Sequence, residues 1–383
     1  MNMRVCVVTG SRADYGLLSC LLNDMQSDPD FDLQLVVTGM HLSPEYGLTY
    51  RVIEKDGFRI DAMVEMLLSS DTAAGTAKSI GLGIMGFADV IVRLRPDIMV
   101  LLGDRFEIFA AAQAALVAKV PIAHLCGGDS TEGAFDEAIR HSITKMSHLH
   151  FVTNAQAEQR VRQLGENPEH VFNVGSPGID FLKRMEFLDR PELENRLGFH
   201  FHKRNLLITF HPATLDVGSP AEQFHTVLSA LNRLSPVEFG LIFTRPNADT
   251  HGRELIVLLD SYVSSHPNAC AFASLGQSVY LSTLAQVDAV VGNSSSGLYE
   301  APSLGKPTVD IGDRQKGRLF ADSVIHCEVE EKAVFAAIQT ALGKDCTGIT
   351  NPYGTGDSVP RIISTLKRFP DPSRLVKKPF FNV

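Results

Sequence analysis

The stretch VCVVTGSRADYGLL, residues 5–18, decides the fold. Val5–Val8 is an uninterrupted apolar run rich in β-branched residues, and Thr9-Gly10 ends it. The chain then passes straight into a helical pattern, the opening of a βαβ unit and hence of a parallel sheet. A dinucleotide-binding turn carries G-x-G-x-x-G at this junction. Here Gly10 and Gly16 flank Ser11, Arg12, Ala13 and Asp14, so NAD is not expected. An arginine beside a helix start grips phosphate through two parallel N–H bonds, helped by the helix dipole. Asp14 reads either as the helix cap or as a contact to a sugar hydroxyl.

The same alternation continues outward. Strands are predicted at 3–9, 33–38, 98–102, 121–125, 149–152 and 171–174, separated by helical patterns near 14–26, 72–94, 105–118, 136–147 and 155–164. From Gly175 to Arg204 the pattern weakens, with Pro177 and Pro191 in a charged stretch. A second series follows, with strands near 206–210, 239–243, 269–273, 289–291 and 307–310 and helices near 220–234, 250–264, 278–286, 297–304, 330–342 and 359–368. A chain of 383 residues exceeds one hydrophobic core. The expected organisation is α/β: a first domain over 1–175, a connection over 176–204, a second domain over 205–360, and a tail over 361–383 that packs back on the first. Two doubly wound domains of this kind are expected to face each other across a cleft, with functional residues just after the strands.

Composition narrows the function classes. A net charge of −9 leaves no basic excess for a nucleic-acid backbone, although a small phosphorylated ligand needs only a few cations. Six scattered cysteines without a CxxC pair read as reduced thiols of a cytoplasmic protein. No charged-then-apolar leader and no apolar run of the ~18 residues that a membrane span needs are present. HExxH and clustered His/Cys ligands are missing too, so neither a metal nor another cofactor is expected.

Four places after strands carry chemistry. The first is Arg12 and Asp14. In LLGDRFEIF a buried strand ends in Gly103 and presents Asp104 and Arg105, suited to proton transfer or to a sugar contact. In PIAHLCGGDSTEGAFDEAIRH, His124 closes a strand, and Asp129, Glu132, Asp136 and Glu137 follow within ten residues. Asp136–Arg140 and Glu137–His141 are i,i+4 pairs, the spacing of ordinary helix-surface pairing. Crowded carboxylates also raise one another's pKa values, which keeps a general acid protonated near neutrality. In VVGNSSSGLYEAPSLGKPTVDIGDRQKGR, Ser294, Ser295 and Gly297 open a helix, a backbone N–H site suited to diphosphate. Glu300 is placed for ribose hydroxyls, and Arg314, Lys316 or Arg318 for the phosphates. His211, in ITFHPAT, and Asn247 with Asp249, in RPNADT, also follow strands. Two facing α/β domains with a diphosphate site in the second suggest a nucleotide-sugar enzyme.

The ordered set TGSRADYG, VTGMH, GDR, HLCGGD, DEAIRHSITK, FHP, GNSSSGL and GDRQKGR, reaching from the first strand to residue 318, resembles the hydrolysing UDP-N-acetylglucosamine 2-epimerases. It most resembles the branch that makes N-acetylmannosamine for bacterial sialic-acid synthesis. The resemblance implies a GT-B type fold, a homodimer, and conversion of UDP-N-acetylglucosamine and water to N-acetylmannosamine and UDP. The route it implies is anti elimination to a 2-acetamidoglucal, then syn hydration. It carries acid–base roles to Asp104, Asp136 and Glu137, and diphosphate contact or leaving-group assistance to His211. Phosphate contacts fall to Arg12, Ser294, Ser295 and Arg314, and the ribose to Glu300. Asp14, Arg105, His124 and Asn247 would line the sugar and phosphate region. Several relatives carry a catalytic glutamate where this chain has Cys126, a role that a thiol does not fill. Asp129 or Glu132 takes it over, or the proton transfers are distributed differently. The alternatives are the same reaction on a UDP-2,4-diacetamido-2,4,6-trideoxy sugar of the legionaminic-acid pathway, and a GT-B glycosyltransferase.

Overall fold

A computed structural model of the chain describes residues 2–70, 72–131, 135–212, 219–246 and 252–382. The chain forms two compact units. Unit 1 is built on Met1–Ser130, Asp136–Lys183 and Tyr353–Val383, and unit 2 on Thr131–Phe135 and Arg184–Pro352.

Unit 1 holds seven strands: β1 Met3–Thr9, β2 Phe31–Thr38, β3 Ala62–Val64, β4 Ile98–Leu102, β5 Ile122–Leu125, β6 Leu149–Val152 and β7 Val171–Asn173. All pair in parallel, in the order β3-β2-β1-β4-β5-β6-β7. Alternation along β1 sends Val5 and Val7 into one apolar core and Cys6 and Val8 into another, so helices cover both faces. The helix Arg12–Ser27 contributes Leu18, Leu21, Leu22 and Met25 to the first core. The helix Ser358–Lys367 brings Val359, Ile362 and Leu366 to that same core from the far end of the chain. Asp180 caps this last helix, accepting from the N–H groups of Ser358 and Val359 at 3.0 and 3.1 Å.

Unit 2 repeats the plan with β8 Arg204–Thr209, β9 Phe239–Thr244, β10 Ala269–Phe272, β11 Ala289–Gly292, β12 Thr308–Ile311 and β13 Val324–Cys327. These strands are also parallel, in the order β10-β9-β8-β11-β12-β13. It has its own core around Leu206, Ile208, Leu241, Val291 and Val309.

Three expectations need correction. The connection expected over 176–204 contains two helices, Pro177–Arg184 and Arg190–Leu197. Its prolines start helices, where a missing N–H costs nothing, instead of breaking them. The helix expected over 297–304 is a single α-turn, Ser296–Tyr299, followed by a 3-10 turn, Ala301–Leu304, which opens beside Pro302. The edge strands β3 and β13 were not predicted.

Candidate active site

In each unit the strand order reverses once, and the carboxyl ends of the strands at that switch point form the binding crevice of a doubly wound sheet. In unit 1 the switch lies between β1 and β4, the two strands that lead into Gly10–Asp14 and Gly103–Arg105. Ser11 caps the helix, its hydroxyl accepting from the Asp14 N–H at 3.3 Å. The cap reading of Asp14 is therefore corrected: Asp14 stands inside the first turn, and its buried Oδ2 has no hydrogen-bond partner. Burial pushes its carboxyl up to about 6; the Arg105 guanidinium opposes this, and the Glu107 carboxylate adds to it. Arg105 forks onto the fully buried Glu107, with Nε and Nη2 each donating over 3.2 Å. A glycine makes room for this carboxylate. At Gly39, where φ is +58°, a Cβ would meet Glu107 Oε1 at 2.8 Å. Nearby, His41 lies between Thr9 Oγ1 at 3.0 Å and Thr49 Oγ1 at 2.7 Å, and burial lowers its pKa to about 4, so the ring is neutral.

A second network in unit 1 is organised by Arg140, which is 2% exposed. Its Nε donates to Asp104 Oδ2 at 2.8 Å, with a second bond from Nη2. Its Nη1 donates to the Asp129 carbonyl at 2.5 Å and to Glu137 Oε2 at 3.0 Å. Burial works against the charge, and the carboxylates of Asp104, Asp129 and Glu137 outweigh it, raising the guanidinium pKa. Glu137 Oε1 takes bonds from Ser130 Oγ at 3.0 Å and His141 Nε2 at 2.9 Å. One buried cation thus holds two of the expected acid–base carboxylates together. The Asp129 side chain turns instead to Thr153 Oγ1 at 2.7 Å and Asn154 Nδ2 at 3.1 Å. His124 is fully buried, its Nε2 on the Gly103 carbonyl at 2.7 Å and its Nδ1 3.1 Å from Thr144 Oγ1. Since a carbonyl only accepts, Nε2 carries the proton and Nδ1 accepts from Thr144. Desolvation lowers the pKa of this ring to about 4. Asp136 opens the helix Asp136–Met146 and is partly exposed. Cys126 holds a left-handed conformation, φ +63°, at the end of β5.

In unit 2 the switch lies between β8 and β11. Asn293, just past β11, accepts from the His211 N–H at 2.7 Å and donates to the His211 carbonyl at 2.8 Å. Its own carbonyl accepts from Arg314 Nη1 at 2.9 Å and from Gln315 Nε2 at 2.7 Å. Ser294, Ser295 and Ser296 are partly exposed beyond it, and Ser294 Oγ accepts from the Ser296 N–H at 3.4 Å. A four-residue turn carries little macrodipole, so any anion there would rely on local N–H and hydroxyl groups. Gly297 is a packing position, because a Cβ would meet Thr308 Cγ2 at 2.5 Å. Burial lifts the Glu300 carboxyl to about 7, against the pull of Ser296 and Arg318. Lys316 is exposed and pairs with Asp313 at 3.4 Å, and Arg318 lies over the Tyr299 ring.

Asn247, Asp249 and Glu132 lie outside the described residues. Sequence reasoning did not single out Glu107, Arg140, Asn293 or Gln315 as site residues, although the Gly-Asn step after an apolar strand was a usable signal for Asn293. Among the described residues, no three His, Cys, Asp or Glu side chains come together to hold a metal ion, and no helix is long and apolar enough to cross a membrane.

Known proteins share this plan. The family model for UDP-N-acetylglucosamine 2-epimerase matches residues 23–367. The chain is 42% identical over 329 residues to the GDP/UDP-N,N'-diacetylbacillosamine 2-epimerase (hydrolyzing) of Campylobacter jejuni, covering 86% of this chain and 85% of that one. It is 36% identical to the UDP-N,N'-diacetylbacillosamine 2-epimerase (hydrolyzing) of Legionella pneumophila, over 99% of both chains. Identity to the polysialic acid biosynthesis protein P7 of Escherichia coli is 35%, over 99% of this chain and 97% of that one. The crystal structure of UDP-GlcNAc 2-epimerase from Neisseria meningitidis bound to UDP-GlcNAc shares the fold, with a TM-score of 0.81 at 18% identity over 96% of this chain and 100% of that one. With the family model spanning most of its length and both units built on the same sheet plan, the chain belongs to the UDP-N-acetylglucosamine 2-epimerase family, hydrolysing type.

Proposed function

We propose that the chain is a cytoplasmic homodimeric enzyme that hydrolyses a UDP-linked 2-acetamido sugar with inversion at C2, releasing UDP and the free 2-epimer. The observation that carries this reading is the Arg140 clamp, which joins Asp104 and Glu137 near the switch point of unit 1. Removing the C2 proton needs a carboxylate, and adding water across the resulting double bond needs a proton donor. Asp104, Glu137 and Asp136 fill these roles, with Arg140 fixing the first two. The C2 proton is acidic enough only while the C1–O bond breaks, so stabilising the departing diphosphate is the main electrostatic task. Arg12, His211, Ser294, Ser295 and Arg314 are assigned to it, Glu300 to the ribose, and Asp14 and Arg105 to the sugar. Elimination is anti and hydration syn, through a 2-acetamidoglucal.

For the sugar, the names of the Campylobacter and Legionella relatives favour the 2,4-diacetamido-2,4,6-trideoxy substrate. The family's name and the likeness to the Escherichia coli polysialic acid protein support a second reading, UDP-N-acetylglucosamine giving N-acetylmannosamine for sialic-acid synthesis. A site that hydrogen-bonds one C4 substituent rejects the other strongly, so the two readings separate cleanly. Both UDP-sugars are turned over side by side in D₂O and the products weighed by mass spectrometry. Faster turnover of the diacetamido sugar, with one deuterium at C2 of the free product, is expected. Product without deuterium at C2 overturns proton abstraction there, and preference for UDP-N-acetylglucosamine selects the second reading.

A further inference from the structure

Register between β8 and β11 ends at the pair Thr209–Gly292, and beyond it two strands normally part. Here they do not. Gly292 has φ +133°, and a Cβ on it would lie 1.9 Å from the Thr209 carbonyl oxygen, so only glycine lets the two backbones stay this close. The Asn293 N–H then donates to the Thr209 carbonyl at 3.1 Å, and its side-chain amide continues with the N–H and C=O of His211. An amide offers one acceptor and two donors on one rigid fork, which matches both polar groups of a single backbone residue. Aspartate would set a carboxylate oxygen against the His211 carbonyl, and serine would not reach both groups. Asn293 is 2% exposed, so these bonds are made away from water. Its remaining polar group, the main-chain carbonyl, takes Arg314 and Gln315.

We infer that Asn293 is a positioning residue that extends the β8–β11 ladder by its side chain and so sets His211 and Arg314 in one frame for the diphosphate. This rests on the reading that this end of unit 2 binds UDP. Both polar ends of the Asn293 side chain are taken by the His211 backbone, so its effect on the ligand runs through His211.

The test is a double-mutant cycle in the full chain, His211→Ala, Asn293→Ala and both together, read by calorimetric titration of UDP and by turnover. Loss of the two amide bonds is expected to weaken UDP about tenfold, with a loss of similar size for His211→Ala. The double variant should then lose about tenfold as well, instead of the hundredfold of two independent sites. Additive losses, or an Asn293→Ala chain with wild-type UDP affinity and turnover, overturn the proposal. Should Asn293→Ala not fold, Asn293→Ser enters the same cycle under the same criteria, since its short hydroxyl does not reach both groups of His211 and it adds no charge. A wild-type chain that does not bind UDP overturns the functional reading itself, and is seen before any variant is made.

Discussion

Asp104 shows what a single residue does in this fold and how to question it. It is held by two nitrogens of Arg140, so its carboxylate is fixed in direction and ionic in character. Asp104→Asn keeps an acceptor for Arg140 and removes the basic oxygen. Turnover should fall about a hundredfold or more while UDP binding, by titration, stays within a few-fold of wild type. Loss of UDP binding instead would make Asp104 a ligand and not an acid–base group. The sequence made Asp104 visible because it follows an apolar strand, yet its partner was hidden. Arg140 is 36 positions away, and on a helical wheel it looks like half of a surface pair with Asp136. Asn293 was hidden for the same reason, being polar, buried and satisfied by backbone and by groups distant in sequence. Glu107, by contrast, is paired only two positions away with Arg105, and was hidden because nothing in the local pattern marks it as buried. Patterning reports which face of an element is apolar, and it carries no information on which polar side chain is allowed inside because its partner arrives from elsewhere.

At the scale of elements, the sequence revealed every central strand of both sheets and the edges β7 and β10, and missed the edges β3 and β13. β1, β4 and β6 match their expected limits, because strands buried on both faces are written as continuous apolar runs. β3 has three residues with an exposed Met63 in the middle, and β13 is largely half-exposed, so neither carries such a run. A different element-scale feature concerns the start of β6 and the tail. Glu166, nearly inaccessible, takes bonds from His150 Nε2 at 3.0 Å, Lys145 Nζ at 2.8 Å and Lys378 Nζ at 2.8 Å. Burial favours the neutral acid, and these three donors outweigh it, holding the carboxyl at about 2. A depressed carboxyl contributes stability that is complete above its ordinary value of 4.5 and disappears as pH falls through about 2. Glu166→Gln should therefore lower the unfolding free energy by about 3 kcal/mol at pH 7, measured in urea. The difference from wild type should shrink steadily below pH 4.5. A deficit that stays constant down to pH 2 would assign the loss to packing instead of charge.

For the molecule as a whole, each unit has its own sheet and its own core, and the switch point of each gathers the residues on which function is proposed. The expected tail over 361–383 was legible as helix and proline-containing segment, whereas what it touches was not, since the contacts join positions such as Asp180 and Ser358. In unit 1 the tail supplies Val359, Ile362, Leu366 and Leu375 to the core, Lys378 to Glu166, and the Phe381 N–H to the Gly165 carbonyl at 2.9 Å. A chain stopped after Pro352 should consequently lose protection across unit 1 in hydrogen exchange while unit 2 keeps its slow amides; protection retained in β1 and β4 would show the tail to be dispensable. The same wiring governs how the protein is made. On the ribosome unit 1 is the first to emerge and the last to be finished, because its core waits for residues that follow all of unit 2. The early half must remain incomplete while the later half folds, so premature stops and bulky carboxyl-terminal fusions strike the proposed acid–base residues of unit 1 from more than two hundred positions downstream, and nascent chains are most exposed to chaperones and proteases during that interval.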